Sequence, residues 1–159
     1  MSQITIISVG TLKEKYLTEA VAEYEKRLSQ YARVENISIK EERIVDEDDS
    51  AEIKRALEIE GDKILAAVPK GAAKIALCVE GRQLDSPALA AMIGRYNDER
   101  GKIALIIGSS HGLADKVKQS ADARISFSAM TFPHQLMRVI LAEALYRSCT
   151  IRAGKRYHK

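Results

Sequence analysis

Apolar and polar positions along the chain follow two periods, one of about two residues and one of about 3.6. Gln3–Val9 is a short run rich in β-branched residues that stops at Gly10, and it predicts a first strand. Leu17, Val21, Tyr24, Leu28 and Tyr31 then recur at helical spacing with Glu and Lys between them, which predicts an amphipathic helix. Val34–Lys40 alternates Val34, Asn36 and Ser38 against Glu35, Ile37 and Ile39 and reads as a second strand. Glu41–Asp49 is highly charged and is expected to be a mobile loop. Ser50 is placed to cap a helix carrying Ile53, Leu57 and Ile64, and Pro69-Lys70-Gly71 marks a turn.

The alternation continues to the end. Lys74–Val79 predicts a strand ending at Glu80-Gly81-Arg82. Ser86-Pro87 supplies a cap and a first-turn proline for a helix carrying Leu89, Met92, Ile93 and Tyr96. Ile103–Ile107 is a compact apolar strand that ends at Gly108. A short helix from about Leu113, a strand near Arg124–Phe127 and a last helix from Pro133 to about Ser148 complete the series. Strand and helix alternate five times, so the expected fold class is α/β, a mostly parallel sheet flanked by helices, in a single domain over residues 1–159. Ligands of such sheets bind beyond the carboxyl ends of the strands. The loops Glu80–Asp85, Gly108–Gly112 and Ser128–Phe132 are therefore the places to look for function.

The last helix breaks the one-sided pattern. Leu136, Met137, Val139, Ile140, Leu141, Ala144 and Leu145 cover more than one face, and a helix apolar on several sides is buried on several sides. The sheet covers one side, and a second copy of the chain is the simplest cover for the other, so a homodimer is expected.

Composition narrows the class. The 159 residues are 46% hydrophobic and 30% charged, which suits a globular domain and not a disordered one. No apolar run approaches the roughly 20 residues of a membrane span, and the first residues do not resemble a secretory signal. The two cysteines, Cys78 and Cys149, supply neither a disulfide framework nor a metal cluster. A reduced, cytoplasmic protein without metal or membrane partners is expected. The net charge of +3 is unevenly placed: no acid follows Glu143, and Arg147, Arg152, Lys155, Arg156 and Lys159 give that tail +5, leaving −2 on residues 1–143. A basic tail on a mildly acidic body points to a localised anionic partner, with nucleic acid a candidate.

Gly108-Ser109-Ser110-His111-Gly112 matches G-x-S-x-G between a strand and a helix, where Ser110 could be a nucleophile followed by Asp115 or Asp122 and then His134. The chain is short for that fold and shows no HGGG-type oxyanion segment, yet a serine hydrolase stays an alternative, as does a non-catalytic RNA-binding dimer. His134 and Arg138 share a helix face, as do Glu143 and Arg147. The end, Gly154-Lys155-Arg156-Tyr157-His158-Lys159, sets an aromatic residue and a histidine among cations, a combination that can stack on a base and hold phosphate.

Taken together, Ile107-Gly108-Ser109-Ser110-His111-Gly112-Leu113, Thr131-Phe132-Pro133-His134-Gln135 with Arg138, Leu145-Tyr146-Arg147 and the terminal Tyr157-His158-Lys159 resemble the ribosomal RNA large subunit methyltransferase H family, small SPOUT-class enzymes. The resemblance spans the whole chain. It departs at Ser109, where the family usually has a second glycine, and at Ala144, where glutamine is common.

The resemblance implies a C-terminal deep trefoil knot, a feature that ordinary connection rules would not propose. It implies S-adenosylmethionine as cofactor, and methylation of N3 of a pseudouridine in helix 69 of 23S rRNA on the assembled ribosome. It places the cofactor on Leu77, Gly108, Phe127, Ser128, Ala129, Met130, Thr131 and Phe132. It implies a homodimer in which the tail of one subunit lies near the cofactor of the other. His158, Tyr157 and Arg138 are the expected catalytic residues, with His134 the competing general base, and Arg147, Arg152, Arg156 and Lys159 the expected RNA contacts.

Overall fold

A computed structural model describes residues 1–159. The elements are β1 (Ser2–Val9), α1 (Lys15–Leu28), β2 (Ala32–Ile39), α2 (Ser50–Ala67), β3 (Ala73–Gln83), α3 (Ser86–Arg100), β4 (Lys102–Ile107), α4 (Asp115–Ser120), β5 (Ala123–Ser126) and α5 (His134–Arg152). The five strands form one sheet in the order β2-β1-β4-β3-β5, and every adjacent pair is parallel. The expected α/β class and its order of elements stand.

The period-two pattern sorts side chains to the two faces of the sheet. Ile103, Leu105 and Ile107 of β4 point to one side with Ile4 and Ile6 of β1, where Leu28 of α1, Leu89 and Ile93 of α3, and Leu141 and Leu145 of α5 cover them. Ala104 and Ile106 point to the other with Ile7 and Val9, beneath Ile64 of α2 and Val117 of α4. The result is three layers, helices on both faces of a sheet whose centre is fully buried. No helix is long and apolar enough to cross a membrane.

Several boundaries differ from the sequence expectation. The cap of α2 is Asp49, whose carboxylate accepts from the amides of Ala51 and Glu52, and Ser50 is the first helical residue. The cap of α3 is likewise Asp85 rather than Ser86, with its carboxylate accepting from Ala88 N. Helix α5 runs on to Arg152, past the expected end at Ser148. The charged loop between β2 and α2 is tethered. Glu52 accepts from the amides of Val45 (2.7 Å) and Asp46 (3.1 Å), buried Glu60 accepts from Glu42 N (2.8 Å), and Glu47 meets His111 Nε2 (2.7 Å).

The largest departure is β3. It does not stop at Val79 but continues through Gly81 to Gln83, and it pairs with β5 twice: Leu77 and Arg82 are both in register with Ile125. Residues 78–81 thus arch over β5. At the crossing a Cβ on Gly81 would stand 2.5 Å from the carbonyl carbon of Ile125 and 2.7 Å from its nitrogen. Only glycine allows backbone to cross backbone at that distance. A loop wrapped over the following strand is consistent with the knotted topology implied by the resemblance. β5 is further anchored by Asp122. Its carboxylate accepts from Lys74 N (2.8 Å) and from both terminal nitrogens of Arg100 (2.8 and 3.2 Å).

Candidate functional site

The carboxyl ends of β3, β4 and β5 meet at a cleft of about 600 Å³, within the ordinary range for a small-molecule site. All three loops singled out by the parallel-sheet rule contribute to it or border it. Its walls are mainly apolar, from Leu77, Ile107, Phe127, Met130, Phe132 and Met137. Its floor is the turn Gly108–Gly112, where Gly108 can carry no side chain because the Gly112 carbonyl occupies the Cβ position, and where Gly112 takes φ +89°. The loop after β5 is held by its own serines: Ser126 Oγ donates to the Ser128 carbonyl (2.9 Å), and Ser128 Oγ accepts from Met130 N (3.0 Å). Met130 is 71% exposed at the rim, so its apolar surface is open to a ligand.

Of the residues expected to meet the cofactor, Leu77, Gly108, Phe127, Ser128, Met130, Thr131 and Phe132 line this cleft. Ala129 belongs to the same loop but is exposed and off the wall. Cys78, His111, Lys118, His134 and Met137 also line it. The sequence offered a hint for Met137, one turn beyond His134 on the same helix, but none for Cys78 or Lys118. Lys118 Nζ pairs with Glu80 at 2.5 Å, which holds the Glu80 carboxyl below its usual range. Burial, with the nearby Glu80 carboxylate, pushes the Cys78 thiol up, which disfavours the nucleophilic thiolate.

His134 opens α5 beside Gly10 (φ +86°), where a Cβ would stand 3.8 Å from His134 Nε2 and 3.7 Å from Glu41 Oε2. His111 is turned to Glu47, and Ser110 has no histidine hydrogen-bonded to it. The nucleophile–base pair that the G-x-S-x-G match required is not assembled.

The remaining expected residues lie elsewhere in the same chain. Arg138 is half-buried and off the cleft wall, with no hydrogen-bond partner at Nε; burial lowers the pKa of its guanidinium. Arg147 binds Glu143 (2.5 Å) and approaches His158 Nδ1 (3.3 Å). Tyr157 donates its hydroxyl to the same Glu143 oxygen (3.1 Å), and burial together with that carboxylate pushes its phenol up to about 12. Arg152 lies across Gly94 and pairs with exposed Asp98 (3.2 Å), so in one chain it rests on the surface of α3. Arg156 and Lys159 are exposed. At about 1.5 Å per residue, Arg147 sits roughly 20 Å along α5 from His134. One chain therefore separates its tail cluster from its own cleft by the length of that helix.

A family profile described as "Predicted SPOUT methyltransferase" matches residues 2–158. The chain is 47% identical over 156 residues to the ribosomal RNA large subunit methyltransferase H of Caldicellulosiruptor bescii, covering 98% of this chain and 99% of the relative. It is 44% identical over 158 residues to the protein of that name from Exiguobacterium sibiricum, covering 99% of each. Among solved structures, a probable methylase family protein from Haemophilus influenzae Rd KW20 superposes with TM-score 0.57 at 14% identity, over 99% of this chain and 70% of that one. A probable methyltransferase from Bordetella pertussis Tohama I gives 0.57 at 15% identity, over 93% and 96%. The structural likenesses speak to the fold alone. The full-length sequence matches carry the assignment: this chain is a methyltransferase of the SPOUT family, within its ribosomal RNA large subunit methyltransferase H group.

Proposed function

We propose that the chain binds S-adenosylmethionine in the cleft at the carboxyl ends of β3, β4 and β5 and methylates N3 of a pseudouridine in helix 69 of 23S rRNA on assembled ribosomes. We place it in the cytoplasm as a homodimer. The observation that carries the reading is the cleft itself: apolar walls, a glycine turn and a serine-stapled loop, in a chain similar from end to end to enzymes named for large-subunit rRNA methylation. Leu77, Phe127, Met130 and Phe132 suit the faces of an adenosyl group, and backbone groups of the loops 108–112 and 126–132 suit its polar edges. When bound, the cofactor supplies a methyl group on a sulfonium, with a neutral thioether to leave.

The chain's own part is to hold the base in line, exclude water and manage the N3 proton. Orientation is worth roughly 7–11 kcal/mol in favourable cases. Tyr157 and His158 are assigned to the base, with Arg138 supporting them and Arg147, Arg152, Arg156 and Lys159 near RNA phosphates. Arg147 can only donate, so its approach to His158 Nδ1 leaves the neutral imidazole with its proton on Nε2. In this arrangement His158 can give a hydrogen bond to a base carbonyl. To take the N3 proton it must first release Nδ1 from Arg147. With that proton held by His158, N3 would be left as the nucleophile for the methyl group that the cofactor would supply.

The separation of tail and cleft along α5 supports the dimer, as do Leu136, Val139 and Ile140, which remain partly exposed in one chain. Calorimetry with S-adenosylmethionine and mass mapping of rRNA from treated ribosomes test the activity. A chain lacking Tyr157–Lys159 should bind S-adenosylmethionine normally and methylate nothing. Full activity of that deletion would overturn the tail assignment. Absence of S-adenosylmethionine binding by the intact chain would overturn the whole reading.

A further inference from the structure

The tail cluster does not rest on α5 alone. Tyr24 and Arg27 of α1 lie one helical turn apart, and Tyr31 follows the end of that helix. Tyr146 of α5 fits between the two tyrosines, with ring centroids 6.4 Å from Tyr24 and 6.2 Å from Tyr31. The Arg27 guanidinium lies 5.5 Å from the Tyr24 ring centroid and 5.9 Å from that of Tyr146, and it is itself held by Glu23 (2.9 Å). On its other side Tyr146 meets Tyr157 edge to face, 4.7 Å between centroids at 66°. Arg147 caps the Tyr157 ring at 4.8 Å. The chain reaches this point by turning at Gly154 (φ +65°), with Lys155 N bonded to the Thr150 carbonyl.

We propose that Tyr146, clamped by Tyr24, Tyr31 and Arg27 of α1, is a positioning residue that fixes Tyr157, and through it His158, in the pose presented to the RNA base. Tyr146 is the ring that packs against the Tyr157 ring, while Tyr24 approaches Tyr157 at its hydroxyl. Glu143 holds its hydroxyl, which also lies close to Tyr24, and Arg147 covers one ring face. The edge-to-face contact adds a preferred tilt of the ring against α5, because the ring quadrupole favours one geometry over others. An aromatic stack buried for stability alone would not need its last member on a seven-residue tail that follows α5. The inference rests on the proposed role of the tail in methylation.

The test is ribosome methylation by Y146L, Y146F and R27M beside the deletion of residues 157–159, with S-adenosylmethionine affinity measured for each. Leucine keeps apolar volume at position 146 and removes the ring. Y146L is expected to lower kcat about ten-fold, the scale of one or two aromatic contacts, with cofactor affinity within about two-fold of wild type. Y146F keeps the ring and should restore kcat, since the Tyr146 hydroxyl makes no hydrogen bond within the chain. Carboxypeptidase should release the terminal residues faster from Y146L than from wild type. If Y146L fails to fold, R27M, which loosens the clamp from exposed surface, should show the same split in weaker form.

Wild-type kcat in folded Y146L, or in R27M where it replaces Y146L, overturns the positioning role when the deletion is inactive. A deletion that stays active instead removes the tail reading beneath it. A drop in kcat matched by an equal loss of cofactor affinity shows a general structural role and overturns the inference as well.

Discussion

Gly81 is the position where one added methyl group should do most damage to the site without touching it. A Cβ there meets three backbone atoms of Ile125 at 2.5, 2.7 and 2.8 Å, whereas ordinary contacts begin at 3.4 Å. No side chain can rotate away, because both partners are main chain. Relief requires the arch of β3 and strand β5 to separate by about 1 Å, and overpacking of that kind costs about 1–3 kcal/mol. For a chain of this size the cost corresponds to a fall in Tm of roughly 2–12 °C. The same movement displaces Ile125, Ser126 and Phe127 on one wall of the cleft relative to Leu77 on another. A misplacement near 1 Å can cost about a hundred-fold where geometry matters. G81A is thus expected to weaken S-adenosylmethionine binding at least ten-fold by calorimetry. G71A is the control, because Gly71 has left-handed φ (+82°) and open space around it. It should lose about 1–2 kcal/mol of stability from backbone strain alone and bind the cofactor normally. Wild-type Tm and affinity in G81A would refute the crossing as described.

Three further outcomes follow from side chains away from the cleft. Glu60 is 3% exposed, and burial raises its pKa, so between its unfolded and folded values the folded state binds more protons than the unfolded state. Its contribution to stability is therefore present below the ordinary carboxylate range and lost as pH rises through the raised value, and urea midpoints of E60Q between pH 4 and 8 should fall less with pH than those of wild type. Asp122 has the opposite sign. Burial pushes its pKa up, but the Lys74 amide and the Arg100 guanidinium outweigh that and hold it low. D122N should cost about 1–3 kcal/mol at pH 7, and the difference from wild type should shrink as pH falls through the depressed value. At Gly94, a Cβ would stand 2.7 Å from Arg152 Nε, the end of a flexible side chain that can swing away from Asp98. G94A trades an exposed ion pair against a gain of helix propensity, each about 1 kcal/mol or less, and its Tm should lie within about 3 °C of wild type.

The parts of the fold legible in sequence were those written as period. β4 announces itself because Ile103–Ile107 is buried on both faces, and α5 because its apolar residues overrun a single stripe. The second half of β3 was not legible, since Glu80, Gly81, Arg82 and Gln83 form a strand only by arching over β5 and gain no apolar burial from it. The caps were displaced by one residue at Asp49 and Asp85, where two capping types stand side by side and local propensity is nearly equal. The charged loop 41–49 read as solvated because its restraints are carboxylates from α2 reaching back to its amides, and a hydrogen bond between distant residues leaves no period. At the site, the rule for parallel sheets found the three loops. Lys118 escaped notice because what brings it to the cleft is the packing of α4 beside β3, which no short motif records.

Helix α5 ties these pieces into one functional argument. Its first residue, His134, is at the cleft, and its last turns carry Glu143, Arg147 and the docked tail. A methyl transfer brings donor and acceptor atoms to about 3–3.5 Å, so groups some 20 Å apart on one rigid helix cannot act on the same atom. Bending the tail back would break the Tyr157 bond to Glu143 and its contact with Tyr146. A two-fold axis across α5 resolves the conflict at no such cost, because an isologous contact between antiparallel helices brings each N-terminus to the partner's C-terminus. The same contact would cover Leu136, Val139 and Ile140, which the sheet leaves partly exposed. On the proposed reading, the unusual apolar breadth of α5 and the position of the basic tail are therefore one requirement. On that reading the helix is buried twice because the site is made from both of its ends.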